Sequence, residues 1–99
     1  MTNIVVRVID CHIVYLNDDK PKFLMLKRSP NKIFGGIWQC VTGKIKIDEK
    51  PIQTAIRELK EETGLYSINK WTIDYVNHFY ETEFDRMNLI PVFGIEVNK

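Results

Sequence analysis

The stretch Gly43–Leu65, GKIKIDEKPIQTAIRELKEETGL, contains the clearest helix signal in the chain and decides the fold. Pro51 suits the first turn of a helix, where its missing N–H group costs nothing, and Gly64 suits the position after the last turn. Four apolar residues recur at helical spacing and form a single stripe, namely Ile52, Ala55, Ile56 and Leu59. The sequence therefore predicts an amphipathic helix over residues 51–63 that packs one face against a sheet.

The segments around this helix predict strands. Residues 3–16 and 22–28 are rich in Ile, Val and Leu and are separated by turn-forming residues, which is typical of a hairpin. Further strands are expected at 37–41, where Gly43 ends the strand, and at 71–80 and 89–97, which the acidic stretch 81–85 joins. Because strands outnumber helices, the fold class is predicted to be α+β, with one helix covering a mixed sheet.

Composition and charge exclude several classes of protein. The chain has 99 residues, of which 44% are hydrophobic and 27% charged, which is ordinary for one globular domain and unlike a disordered, collagen-like or disulfide-rich chain. No apolar run is long enough for a transmembrane helix, and no signal peptide is recognisable at the N-terminus. A net charge of +1 disfavours long nucleic acid as a partner. Cys11 and Cys40 fit no zinc spacing and indicate reduced thiols and a cytoplasmic location.

Three carboxylates form a separate sector of the predicted helix. Glu58, Glu61 and Glu62 are offset by three and four residues, so their side chains can converge. Carboxylate oxygens favour Mg²⁺ or Mn²⁺ over zinc, and a divalent cation would remove the repulsion between them. The alternative is a solvated acidic face for which Arg57 and Lys60 supply the opposite charge.

The residues around these carboxylates have a specific spacing. Over the 23 residues of this stretch they follow the pattern G-x5-E-x7-R-E-U-x-E-E-x-G-U, in which U is a bulky aliphatic residue. The fixed positions are Gly43, Glu49, Arg57, Glu58, Glu61, Glu62 and Gly64, with Leu59 and Leu65 as the aliphatic residues. The pattern resembles the signature of the Nudix hydrolases, and the similarity extends over residues 3–97. The segment around Trp38–Gly43 looks closest to the subgroup that hydrolyses dATP and dihydroneopterin triphosphate.

The resemblance implies a fold and an activity for the whole chain. It implies one Nudix domain over residues 1–99, an α/β/α sandwich with a mixed curved sheet and the signature helix on one face. The C-terminal helix of that family has no counterpart, so the domain is expected to be truncated. The implied reaction is Mg²⁺-dependent hydrolysis of a phosphoanhydride bond in a nucleoside diphosphate-linked substrate. A (d)NTP or dihydroneopterin triphosphate would give a monophosphate and pyrophosphate.

The resemblance also carries over the roles of individual residues. Glu58, Glu61 and Glu62, with the carbonyl of Gly43, would bind Mg²⁺, which Mn²⁺ can replace. Arg57 would orient these carboxylates and pair with Glu49, and Gly64 would provide the exit from the helix. Glu61 is the expected general base, so the catalytic set is Glu61, Glu58 and Arg57. Carboxylates of the later loop, Glu81, Glu83 and Asp85, are the alternatives for that base.

Substrate contacts and partners are further expectations. The side chains expected to contact phosphate or stack on a base are Arg7, Arg28, Lys44, Phe34, Trp38 and Tyr80. Lys44 and Lys46 are alternatively ordinary exposed strand residues. The expected partner is a small nucleotide, without a membrane or long nucleic acid, and a homodimer is possible. The competing functions are hydrolysis of a dinucleoside polyphosphate, a sugar nucleotide or capped RNA, and an inactive or nucleotide-sensing domain.

One residue departs from the family pattern. Asp48 stands where a glycine usually precedes the glutamate that matches Glu49. Because Asp tolerates left-handed backbone conformations better than most residues, the loop is expected to form.

Overall fold

A computed structural model describes residues 1–17, 20–27 and 38–98 of the chain. It confirms the predicted helix α1 with the predicted bounds, Pro51–Thr63. Gly64 follows it with a φ of 73°, and its N–H donates to the Lys60 carbonyl at 2.8 Å. The strands, in chain order, are β1 (Asn3–Val5), β2 (Val8–Asn17), β3 (Lys20–Leu24), β4 (Leu26–Lys27), β5 (Trp38–Gln39), β6 (Val41–Lys44), β7 (Ser67–Glu81) and β8 (Arg86–Val97).

Six of these strands form one mixed sheet, which confirms the predicted α+β class. Strand β8 pairs in parallel with β1 and β2 and antiparallel with β7. The other edge of β2 pairs antiparallel with β3 and β6. Strands β4 and β5 form a separate antiparallel pair. The result is a sheet with β8 and β2 at its centre.

The prediction of one unbroken strand over residues 3–16 was wrong, because the strand breaks at Val6 and Arg7. Strands β1 and β2 follow one another along the same edge of β8, but in different registers. From Val5 to Asp10 the chain advances five residues, whereas β8 advances only four between their partners, Asn88 and Val92. The extra residue interrupts the pairing, as in a β-bulge.

Other strand boundaries also differ from the prediction. The predicted strand 22–28 begins at Lys20 and breaks at Met25, and the predicted strand 37–41 breaks at Cys40 into β5 and β6. Gly43 lies within β6 and does not end a strand, because Gly43 itself pairs with Ile9 of β2. Strands β7 and β8 begin earlier than expected, at Ser67 and Arg86. The acidic stretch supplies only a tight turn over residues 82–85, so pairing extends up to it on both sides.

The core lies between α1 and one face of the sheet. Ala55 and Leu59 of the predicted stripe are fully buried, and Ile52 and Ile56 pack against them at the edge of the core. The sheet contributes Ile9, Cys11, Ile13, Val41, Phe93, Ile95 and Val97. Burial raises the pKa of the Cys11 thiol to about 12, which agrees with its interpretation as a small core residue.

Large apolar side chains remain exposed on β7 and nearby strands. They include Phe23, Trp71, Tyr75 and Phe79. The Trp71 ring lies against Gly94 on the neighbouring strand. Within the described ranges, no helix is both long and apolar enough to cross a membrane.

Candidate active site

Helix α1 places the Glu58 side chain directly against strand β6 at Gly43. A Cβ atom added to Gly43 would lie under 3.0 Å from both Cγ and Cδ of Glu58, so the glutamate or the strand would have to shift. The Glu58 side chain is only 14% exposed as a result. Glycine therefore suits this position because the backbone and the Glu58 side chain approach so closely.

Arg57 forms the hub of the site, and all five of its N–H groups donate hydrogen bonds. Nε and Nη2 donate to the two carboxylate oxygens of Glu49 at 2.8 and 3.1 Å. Nη1 donates to Glu58 at 2.8 Å and to Glu61 at 3.1 Å. Nη2 also donates to the Lys44 carbonyl at 2.9 Å. Bonds to Glu49 and Glu58 raise the pKa of Arg57 above its usual range, so the charge of the hub is permanent.

Glu49 accepts hydrogen bonds from two groups besides Arg57. Its Oε1 also accepts from the Thr54 hydroxyl at 2.6 Å and from the Lys46 N–H at 3.0 Å. Thr54 was not predicted as a site residue. It is fully buried and lies one helical turn before Arg57, which is the signal in the sequence that indicates its role. Arg57, Thr54 and the Lys46 amide hold the pKa of Glu49 at about 2, well below the usual 4.5.

The loop that carries Glu49 contains a left-handed residue. Asp48 has a φ of 65°, a left-handed conformation that glycine adopts most easily and that aspartate tolerates better than most residues. The Glu49 N–H donates to the Lys46 carbonyl at 3.1 Å and closes the turn. The loop therefore forms with aspartate at this position, as expected.

Stability is expected to depend on pH through Glu49. Its carboxylate has a lower pKa in the folded chain, so its contribution is complete above the ordinary pKa of 4.5 and disappears as the pH falls toward 2. The unfolding midpoints of the unmodified chain and Glu49→Gln, measured between pH 7 and pH 2, test this. The gap between the two proteins should be constant down to about pH 5 and then narrow. A gap that stays constant to pH 2 would contradict the assignment.

The carboxylates supply oxygen ligands of the kind that a metal site needs, but they do not stand close enough together to share one ion. In the part of the chain that the structure describes, no three His, Cys, Asp or Glu side chains stand close enough to bind one ion. Arg57 Nη1 donates a hydrogen bond to both Glu58 and Glu61. These two carboxylates therefore already converge on one positive charge, and their oxygens are ligands that suit Mg²⁺. Glu62 is exposed on the same helix. The donor set fits a hard cation, and the ligand assignment stays a prediction.

The structure describes three of the other predicted contact residues, Arg7, Lys44 and Tyr80. Arg7 lies at the break between β1 and β2, with its Nη1 3.5 Å from Glu81 Oε1. The Lys44 side chain is exposed and lines a groove together with Arg7. Tyr80 donates to Asp85 at the β7–β8 turn, 2.5 Å away, which raises the pKa of its hydroxyl. Arg28, Phe34 and the side chain of Trp38 lie outside the described residues.

Two alternative bases are held by other contacts. Glu81 accepts from Arg86 at 2.5 Å and from Asn88 at 2.7 Å, and these bonds lower its pKa. The Asp85 carboxylate accepts from Tyr80 and from Thr2, which lowers its pKa as well. Both carboxylates thus hold the β7–β8 turn together, whereas Glu83 is exposed on that turn.

Comparison with known proteins gives a family and a fold. The profile described as NUDIX domain matches residues 7–93. A dihydroneopterin triphosphate diphosphatase of Haemophilus influenzae is 47% identical over 53 residues, 54% of this chain. An octanoyltransferase of Myxococcus xanthus is 39% identical over 59 residues, 60% of this chain. The chain spans only 32% and 16% of the lengths of these two relatives.

A solved structure shares the architecture over the whole chain. The NUDIX domain of NrtR from Shewanella oneidensis, crystallised with ADP ribose, superimposes with a TM-score of 0.71 at 19% identity. The match covers 100% of this chain and 62% of that one. At this identity the likeness concerns the fold, and it confirms the predicted Nudix architecture.

Proposed function

The chain belongs to the Nudix family, and we propose on that premise that it is a Mg²⁺-dependent pyrophosphohydrolase. The proposed substrate is a (d)NTP or dihydroneopterin triphosphate, cleaved to a monophosphate and pyrophosphate. The observation that carries the proposal is the hub itself, in which Arg57 orients Glu49, Glu58 and Glu61 beside Gly43. The relative named as a dihydroneopterin triphosphate diphosphatase supports the choice of a triphosphate.

A divalent metal is part of the proposal. Glu58, Glu61, Glu62 and the Gly43 carbonyl would hold Mg²⁺, which Mn²⁺ can replace, because all of these ligands are oxygens. Such an ion would neutralise phosphate charge and lower the pKa of the attacking water. Hydrolysis of a phosphoanhydride needs this charge neutralisation and positioning more than it needs covalent chemistry.

The residues of the chain have distinct proposed roles. Arg57 donates hydrogen bonds to Glu58 and Glu61 and orients them, and Glu49 with Thr54 keeps Arg57 in place. The Glu58 side chain packs against Gly43 of β6, which restricts its movement. Glu61 is 53% exposed and held by one longer bond, so it can reach solvent. Glu61 is therefore the proposed general base.

Replacing Glu61 with glutamine tests the two proposed roles of this side chain together, as general base and as metal ligand. The variant keeps the shape of the side chain but cannot accept a proton, so turnover of dATP or dihydroneopterin triphosphate should fall about 10²-fold or more. The unfolding midpoint should hardly change because the side chain is half exposed. Asp74→Asn, which removes an exposed carboxylate on β7, is the matched control and should keep full activity. If Glu61→Gln retained activity, the base would lie elsewhere, and Glu83→Gln would be the next variant.

A further inference from the structure

A buried hydroxyl group, that of Thr54, forms part of the carboxylate hub. Thr54 is fully buried at the end of the first turn of α1. Its Oγ1 lies 2.6 Å from Glu49 Oε1 and 3.4 Å from the Lys50 carbonyl oxygen. A hydroxyl has one proton to donate, and a hydrogen bond to a carboxylate is stronger than one to a neutral carbonyl. The Thr54 hydroxyl therefore donates to Glu49.

The helix itself does not need this hydroxyl. The Thr54 N–H already donates to the Lys50 carbonyl at 3.1 Å. A threonine within a helix commonly donates its hydroxyl to the carbonyl four residues earlier. Thr63, at the other end of α1, does so at 2.6 Å from the Leu59 carbonyl. The two threonines of one helix thus have different acceptors, and only the Thr54 hydroxyl bonds to a carboxylate of the site.

Glu49 is fully engaged by the chain. Its Oε1 accepts from the Thr54 hydroxyl at 2.6 Å, from the Lys46 N–H at 3.0 Å and from Arg57 Nη2 at 3.1 Å. Its Oε2 accepts from Arg57 Nε at 2.8 Å. These four hydrogen bonds are about as many as a carboxylate has lone-pair positions. Glu49 is therefore a support for Arg57, placed between the loop and the helix.

The orientation of the Glu49 carboxylate determines that of the guanidinium group. Nε and Nη2 of Arg57 bind this carboxylate together, so the two planar groups share one orientation. Nη1 of the same planar group donates to Glu58 and Glu61. The helix hydroxyl and the loop N–H both hold Oε1, from two different elements of the fold. Without the hydroxyl, the carboxylate can turn about the remaining contacts and carry the guanidinium with it.

We propose that Thr54 is a positioning residue for the reaction, whose hydroxyl sets the orientation of Arg57 through Glu49 and thereby the turnover number. The inference rests on the proposed function for the identity of that reaction. Thr54 is one of the seven unspecified positions between Glu49 and Arg57 in the signature, so the pattern itself assigns it no role. A misplaced guanidinium costs orientation in the transition state, so kcat should fall while KM changes little.

Thr54→Val tests the proposal, because valine keeps the branched shape and removes the donor. For whichever of dATP and dihydroneopterin triphosphate the chain cleaves, kcat should fall about tenfold or more, with KM within about twofold. Thr54→Ser restores the donor and should recover most of the lost kcat. Thr63→Val is the matched control, since it removes a hydroxyl bond of the same length from the same helix and should keep kcat. If Thr54→Val does not fold, Thr54→Ala removes the same donor and replaces it.

The Arg57 Nε–H signal in nitrogen-15 NMR tests the same proposal without turnover and without metal. Arg57→Lys identifies the signal by its disappearance. In the unmodified chain the signal should be sharp and shifted, because this proton is bonded to Glu49. It should move or broaden in Thr54→Val, return in Thr54→Ser and stay unchanged in Thr63→Val.

The possible outcomes separate this proposal from the proposed function. A loss of kcat in Thr54→Val that serine restores, and that Thr63→Val lacks, supports the positioning role. Equal losses in the two valine variants, a rise in KM with kcat retained, or an unchanged Arg57 signal overturns it even if the chain hydrolyses triphosphates. In a chain that hydrolyses nothing, the proposed reaction fails, and an Arg57 signal that moves only in Thr54→Val still supports the positioning of Arg57 by Thr54.

Discussion

Replacing Gly43 with alanine is expected to remove most of the activity and a measurable part of the stability. The new Cβ would lie 2.2 Å from Glu58 Cγ, so the glutamate or the strand has to move. Overpacking of this kind costs about 1–3 kcal/mol of unfolding free energy. Displacing Glu58 also breaks its bond to Arg57, and a shift of about 1 Å in such a side chain can lower turnover about 10²-fold.

Gly94→Ala is the matched control for this substitution. Its Cβ would lie 2.4 Å from the Trp71 ring, so it also overpacks a strand of the same sheet, but away from the carboxylates. The expected result is a loss of stability with turnover retained. If both alanine variants lost the same small amount of activity, the close contact between Gly43 and Glu58 would have no special part in the reaction.

Arg57→Lys is expected to destabilise the chain more than any other charge-conserving substitution at the site. Lysine keeps the charge but has a single ammonium group in place of the planar fork that serves Glu49, Glu58, Glu61 and a carbonyl. Glu49 would keep only its hydrogen bonds from Thr54 and the Lys46 N–H, and Glu58 would lose its bond from Arg57, so the unfolding free energy should fall measurably. Turnover should fall about 10²-fold or more because the carboxylates lose their orientation.

A double-mutant cycle separates the interaction between Arg57 and Glu49 from the general destabilisation that each substitution causes. Unfolding free energies are measured for Arg57→Lys, Glu49→Gln and the double variant. If the hub acts as described, the double variant should be less destabilised than the sum of the single variants, by about 1 kcal/mol or more. Strict additivity would show that Arg57 and Glu49 act independently, contrary to the geometry.

The sequence predicted the helix well because its signals are local. Pro51, the apolar stripe and Gly64 each act within a turn or two of the chain, and the structure reproduces the bounds that they imply. The close pairing of Arg57 with Glu49 is also present, as the resemblance implied. The left-handed Asp48 followed from the known tolerance of aspartate for that conformation.

Features that depend on packing between distant segments could not be predicted. The break at Val6 and Arg7 arises from a change of register along β8, which no local pattern in residues 3–16 reveals. The burial of Thr54 and the use of the Lys44 carbonyl both follow from how the loop packs on the helix. The same packing places Arg57 between Glu58 and Glu61, so the helical offsets alone did not determine where the carboxylates point.

The products formed from a triphosphate give the most direct test of the central claim. The purified chain is incubated with Mg²⁺ and either dATP or dihydroneopterin triphosphate, and the reaction is followed by phosphorus NMR with and without EDTA. The account predicts a nucleoside or pterin monophosphate and inorganic pyrophosphate in equal amounts, and no reaction in EDTA. Release of orthophosphate instead, or a folded chain that cleaves neither compound, would contradict it.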